Sequence, residues 1–181
     1  MKYHEEIVLK DGRTCCLRNG TEQDGQALLD IFNRTHAQTE FLLTYVDECA
    51  YTVEDEARYL KERTEDPRAI EIVAELDGAI VGSAGIEAVG TQEKVRHRAE
   101  FGISIDRACW GLGIGRALTR ACVTCARRAG YAQLELDVAV QNASAIALYE
   151  SEGFVEFGRN PRAFRTRSGE WQECALMRLE L

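Results

Sequence analysis

The chain has 181 residues, 45% hydrophobic and 29% charged, with 22 basic against 30 acidic side chains and a net charge of −8. A chain of this length buries about 70% of its unfolded surface, so it reads as a single domain over residues 1–181, and its balance excludes a disordered chain. The acidic surplus works against nucleic-acid binding, and no apolar run nears the roughly 20 residues that span a bilayer. The charged start Met1–Glu6 is unlike a signal segment, and seven cysteines in apolar contexts suit a reducing compartment, so a cytoplasmic protein with no membrane or nucleic-acid partner is expected.

The chain opens on a hairpin, Glu6–Leu9 and Thr14–Leu17 about a turn at Asp11-Gly12. Thr21, with Asp24 three residues on, predicts the cap of a helix whose apolar positions are Ala27, Leu28, Ile31 and Phe32. Thr52 or its neighbour starts a second helix, with Ala57 and Leu60 inward and Glu54, Asp55 and Glu56 in the first turn, where the helix dipole favours them. A hairpin follows, Ile70–Leu76 and Ala79–Ala88 about Asp77-Gly78, then a strand over Arg98–Ile105. Next comes a glycine-rich segment, Trp110-Gly111-Leu112-Gly113-Ile114-Gly115-Arg116. It runs into a helix with the stripe Ile114, Ala117, Leu118, Ala121, Cys122, Cys125, ended by Gly130. Cys122 and Cys125 read as small core residues there rather than a redox or zinc pair. A strand from Gln133 to Val140 leads to Asn142 and a short helix closed by Gly153. The chain finishes with a strand over Phe154–Phe157, a basic connection and a last strand around Cys174–Leu179. This order predicts an α/β protein with a mixed sheet.

A strand that runs into a glycine turn and a helix is suited to an anion, because the first helical N–H groups lack partners and glycines let a phosphate approach. G-x-G-x-G alone equally describes a tight strand–helix turn. Arg116 and Arg120, stacked in the first two turns, oppose the helix dipole, an imbalance that a phosphate would reverse. No Gly-Lys-Ser/Thr follows, which disfavours an NTPase loop, and the motif comes too late for a dinucleotide fold.

Thirty residues on, the chain reads Asn142-Ala143-Ser144-Ala145-Ile146-Ala147-Leu148-Tyr149-Glu150-Ser151-Glu152-Gly153-Phe154. Capping and packing explain every residue here except the need for a tyrosine at 149. Together the two segments resemble the GNAT superfamily of acyl-CoA-dependent N-acetyltransferases. Its hallmarks are Arg/Gln-x-x-Gly-x-Gly/Ala and Asn-x-x-Ala-x-x-Leu-Tyr-x-x-x-Gly-Phe. The second matches without a gap; in the first, Trp110 stands at the Arg/Gln position. The branch it resembles contains spermidine and ribosomal-protein N-terminal acetyltransferases, on the strength of His97-Arg98-Ala99-Glu100-Phe101 and the tail Phe164–Glu173.

The resemblance implies a mixed, mostly antiparallel sheet of about seven strands flanked by four helices, with splayed central strands forming the acyl-CoA cleft and a core over about 98–155. It implies acetyl-CoA as cosubstrate and no metal. Backbone N–H groups of Gly111, Leu112, Gly113, Ile114, Gly115 and Arg116 would hold the pyrophosphate. Backbone near Ile103, Ser104 and Ile105, with Asn142, would meet the pantetheine arm. Tyr149 would sit near the sulfur as the acid, Ile103 N–H near the thioester oxygen, and Glu100 would act as base, directly or through water, with His97 as the weaker alternative. The acceptor would be a small-molecule amine or a peptide N-terminus. Glu40, Phe41 and Tyr45, an acidic and aromatic set between the first two helices, are candidate substrate-binding residues with Glu100. The family's late edge strands leave room for a homodimer. Arg159, Arg162, Arg165 and Arg167 form a basic run that reads as a solvated loop. A non-catalytic acetyl-CoA sensor is the alternative reading, and an intact Tyr149 argues against it.

Overall fold

The computed structural model describes residues 1–181. In chain order it contains β1 (His4–Val8), β2 (Thr14–Asn19), α1 (Gly25–Gln38), α2 (Val53–Glu65), β3 (Ile70–Leu76), β4 (Ala79–Ala88) and β5 (Arg98–Ile105). It continues with α3 (Ile114–Arg128), β6 (Gln133–Ala139), α4 (Ala143–Ser151), β7 (Val155–Arg165) and β8 (Trp171–Glu180). No helix is long and apolar enough to cross a membrane. The strands form one sheet in the order β1-β2-β3-β4-β5-β6-β8-β7. Every adjacent pair is antiparallel except β5–β6.

Eight strands replace the expected seven or so. The basic stretch predicted as a connection is strand: β7 runs through Arg159 and Arg162 to Arg165, with register shifts at Glu156/Gly158 and Asn160/Phe164. Its position at the sheet edge lets it carry Pro161, whose missing N–H would break a central ladder. Thr21 caps a short 3₁₀ turn, Glu22–Asp24, and α1 starts only at Gly25. Thr52 is the N-cap of α2, at the predicted start, and the structure adds a reciprocal capping box with Asp55. Asp77 and Gly78 both have positive φ, 54° and 79°, the requirement of a tight two-residue hairpin turn.

Strand alternation divides the sheet into two faces. One carries Ile70, Ile72, Ala84, Ile86, Leu134, Leu136 and Met177 against Leu118, Ala121, Cys122 and Cys125 of α3 in the main core. The predicted stripe of α3 is thus its buried face, and truncating Leu118, which is 0% exposed, would cost about 2–5 kcal/mol. The opposite face packs Val73 and Ile80 against Leu28, Ile31 and Leu60 of α1 and α2. All seven cysteines are free.

Candidate active site

The parallel pair β5–β6 holds together for only three residues, Arg98 to Glu100 against Gln133 to Glu135. Beyond Glu100 the strands part. Hydrogen-bond alternation shows what lines the gap. Val89 N–H donates to Arg98 O, and Asp106 N–H donates to Val81 O. Every second residue of β5 between these bonds, namely Glu100, Gly102 and Ser104, therefore bonds to β4. Ile103 and Ile105 turn their N–H and C=O groups the other way, into the gap. On β6, Val140 N–H bonds to Glu173 O of the β8 side, which leaves Asp137 and Ala139 facing the gap by the same logic, although the Ala139 carbonyl is taken by Asn142 N–H at 2.8 Å. An open seam of backbone donors and acceptors needs water or a ligand. The alternation turns Ser104 backbone toward β4, while its side chain stands on the α1/α2 face.

The glycine loop opens beside this seam. Gly111 and Gly113 have φ of +77° and +104°, a region that other residues rarely adopt. Gly113 is the N-cap of α3 and supplies no side-chain cap. The first helical bond there is Ala117 N–H to Gly113 O at 3.2 Å, so the N–H groups of Ile114, Gly115 and Arg116 are open to an anion. Gly115 packs closely, with Leu148 and Ile105 side chains 3.3 Å from where a Cβ would sit, and this locks α3 against α4 and β5.

Two residues at the loop behave differently from the sequence reading. Arg116 and Arg120 are not unbalanced cations: both reach Glu152, at 3.1 and 2.7 Å. Glu152, just past α4, supplies the negative charge that a phosphate was expected to bring. Trp110 donates its indole N–H to Ile105 O at 2.8 Å and has the Arg107 guanidinium 5.4 Å from its ring. It thus closes the turn from β5 and occupies one carbonyl that faces the gap.

Tyr149, on α4, is 6% exposed and wedged between Phe101 and Phe154, with ring centroids 6.0 and 5.8 Å away. Its hydroxyl makes no hydrogen bond within the chain. Burial pushes its phenol up to about 12, so it stays protonated at neutral pH. Phe101 belongs to β5 at the start of the gap, so Tyr149 stands where the strands diverge. Asn142 caps α4, its Oδ1 accepting from Ala145 N–H at 3.3 Å and from Ser144 Oγ at 3.1 Å.

Glu100 stands on the other face, in a row of carboxylates: Glu87 is its partner across β4 and Glu135 its partner across β6. Partial burial, then repulsion from Glu87, Glu135 and Asp137, raises its carboxyl, while Arg98 lowers it. Arg98 itself is committed to Glu135, with Nη2 to Oε2 at 2.6 Å.

Glu40, Phe41 and Tyr45 line a cavity of about 590 Å³ with Gln38, Arg107 and Arg167. Tyr45 donates to Glu40 at 2.8 Å and accepts from Arg167 N–H at 3.1 Å, while the Arg167 guanidinium lies 4.1 Å over the Tyr45 ring and pairs with Asp47. These contacts tie the α1–α2 connection to the β7–β8 hairpin at the wide end of the gap, beside Arg107. Glu100 is at the narrow end, five residues back along β5, or about 17 Å. The structure therefore assembles the three predicted substrate residues but does not bring Glu100 to them. Sequence reasoning missed Glu152 and the gap-facing backbone of Asp137 and Ala139. A lone acid after a helix carries no signal, and backbone direction follows only from register.

The comparisons agree with this architecture. The profile described as "Acetyltransferase (GNAT) family" matches residues 27–154. The L-amino acid N-acetyltransferase AaaT of Escherichia coli is 28% identical over 162 residues, covering 89% of this chain and 94% of the relative. An acetyltransferase of the GNAT family from Streptococcus pneumoniae superposes with a TM-score of 0.88 at 27% identity, covering 92% of this chain and 99% of that one. yncA of Salmonella typhimurium, solved with its cofactor acetyl-CoA, has the same fold, with a TM-score of 0.82 at 23% identity over 92% of this chain and 94% of that one. With the splayed β5–β6 pair, the uncapped glycine-loop helix and Tyr149 on α4 in place, the chain belongs to the GNAT family of acetyltransferases.

Proposed function

We propose that this enzyme moves an acetyl group from acetyl-CoA to the primary amine of a small molecule or a peptide N-terminus, by direct transfer in a ternary complex. The observation that carries the reading is the backbone seam between β5 and β6, which no strand pairs beyond Glu100 and whose Ile105 and Ala139 carbonyls alone find partners, in Trp110 and Asn142; it leads from the open N–H groups of α3 to Tyr149. Gly111 to Arg116 hold the pyrophosphate. Ile103, the Ile105 N–H and Asn142, joined by gap-facing groups of Asp137 and the Ala139 N–H, receive the pantetheine arm. Ser104, in this reading, borders the arm through its side chain.

The acceptor nitrogen must be neutral to attack, and the carboxylate of Glu100 takes its first proton, directly or through water. Ile103 N–H, already aimed into the gap, stabilises charge developing on the thioester oxygen. As the C–S bond breaks, Tyr149 gives its proton to the sulfur and recovers the second proton from the nitrogen. The net products are an amide, CoA thiol and one proton released to solvent. Glu40, Phe41 and Tyr45, at the wide end of the cleft, would meet only the far part of an acceptor whose amine lies at the narrow end. AaaT, by its name, acetylates L-amino acids, and a free amine of that kind belongs in the first panel of acceptors.

The test is release of free CoA from acetyl-CoA, read with a thiol-reactive dye against polyamines, amino acids, aminoglycosides and short peptides. Tyr149→Phe should lower turnover on the order of 10²-fold while calorimetric acetyl-CoA affinity stays unchanged. A wild type that binds acetyl-CoA but acetylates nothing would favour the sensor. No binding at all would refute the assignment of the glycine loop.

A further inference from the structure

Glu71 lies in the middle of β3, 8% exposed, and forms no ion pair. Its partners across the sheet are both glycines: it stands opposite Gly85 in β4, and Gly85 stands opposite Gly102 in β5. Residues directly opposite share a face, so the row Glu71–Gly85–Gly102 carries no side chain but one carboxylate. A Cβ at Gly85 would lie 2.2 Å from Glu71 Oε2, which shows that the carboxylate lies over Gly85, one strand short of Gly102. At Gly102 a Cβ would meet nothing within 4 Å. Gly102 is also two residues past the last β5–β6 pair, at the start of the gap and next to Phe101, which touches Tyr149. A bare track one strand wide thus joins a buried carboxylate to the place where the acyl group is to be transferred.

The surroundings of Glu71 hold it without an ion pair, the one nearby cation, Arg63, being paired elsewhere. Tyr59 of α2 donates to Oε2 at 3.2 Å, and the Ser83 hydroxyl of β4 adjoins it. Arg63 of α2 is turned to Glu87 at 2.5 Å. Glu56 of α2 adds a like charge, and Cys122 of α3 lies beneath the sheet. On the same face of β5, Glu100 is next along the strand. From α1, Arg34 is committed to Asp106, Asp30 to Gln26, and His36 to Phe32 O. Burial raises the Glu71 carboxyl to about 7, against the lowering pull of Ser83, Tyr59 and Arg63. An unpaired buried carboxylate is unfavourable until a proton or a cation joins it.

We propose that Glu71 is the residue that receives the acceptor's ammonium group, over Gly102, and so selects cationic primary amines. This rests on the acetyl-transfer reading above. Glu71 contributes binding, and Glu100 takes the proton.

The test is steady-state kinetics between pH 5.5 and 9 with the best cationic amine of the panel, about the carboxyl's titration range. Glu71→Gln should raise the acceptor KM about 30-fold, with kcat within about threefold and the acetyl-CoA KM unchanged, as expected for a lost charge-assisted contact. In the wild type the acceptor KM should rise as pH falls below about 7, and in Glu71→Gln that rise should vanish. Gly85→Ala, which displaces the carboxylate without removing it, should reproduce the KM defect and covers the case of a poorly folding Glu71→Gln. Glu100→Gln should instead lower kcat. An acceptor KM and pH dependence unchanged in both Glu71→Gln and Gly85→Ala, or a loss confined to kcat, overturns the assignment while leaving acetyl transfer intact. A wild type that turns over no cationic amine overturns it as well, and one that also fails to bind acetyl-CoA refutes the underlying function.

Discussion

Replacing Glu71 by glutamine removes one titration from the folding equilibrium, and the structure sets its sign and size. Burial lifts this carboxyl from 4.5 to about 7 in the folded protein. Between those values the folded chain holds a proton that the unfolded chain has already released. Stability must therefore fall as pH rises through this window, and the loss is complete above the folded value. The difference is about 2.5 in pKa, and at 1.36 kcal/mol each that is about 3 kcal/mol. Glutamine keeps the acceptor for Tyr59 but does not ionise. Glu71→Gln should match the wild type within about 1 kcal/mol at pH 4.5 and exceed it by about 3 kcal/mol at pH 8.5. For a chain of this size that is a gain of roughly 6–12 °C in Tm at the higher pH. Urea and thermal unfolding of both proteins at the two pH values measure it. Curves that stay parallel across the window would refute the argument, as would a mutant less stable at high pH, because either would mean that Glu71 is ionised in the fold at little cost.

Three further outcomes are expected. Because the Tyr149 phenol is pushed up to about 12, kcat should not decline on the basic side through loss of this acid until pH approaches that value; a basic limb near 10 that disappears in Tyr149→Phe would contradict its burial. Glu152→Gln frees Arg116 and Arg120 from their shared partner. It should tighten acetyl-CoA binding severalfold at low salt, an effect that calorimetry should see shrink as ionic strength rises. Gly113→Ala forces a side chain to a φ of +104°. It should destabilise the loop by about 1–2 kcal/mol and weaken acetyl-CoA binding, with kcat for bound substrate less affected.

Much of this architecture could be read from local pattern. Asp77-Gly78, the start of α2 at Thr52, the apolar stripe of α3 and the cap at Asn142 each depend on contacts within a few residues, and each formed where the sequence placed it. The glycine loop was legible for the same reason, since positive φ at Gly111 and Gly113 is a local property of residues without a Cβ. β7 was not. Its basic residues pair with β8 at the sheet edge, where polar side chains on both faces remove the alternation that marks a strand. The partnership of Arg116 and Arg120 with Glu152 joins residues more than thirty positions apart, and no spacing rule connects them.

The active-site reading divides along the same line. The residue types needed for acyl transfer, a buried tyrosine, an uncapped helix start and a carboxylate on the strand before it, are written in the chain. Which backbone groups face the cleft is decided by register, because a strand alternates its hydrogen bonds and only the pairing partners say which set is spent. Register also lines Glu71 up with Gly85 and Gly102, three residues on three strands that are unremarkable in sequence. Local pattern could therefore mark the glycine loop and the odd tyrosine, and the family resemblance the roles proposed for them, whereas the path proposed for an acceptor exists only once eight strands have joined into one sheet.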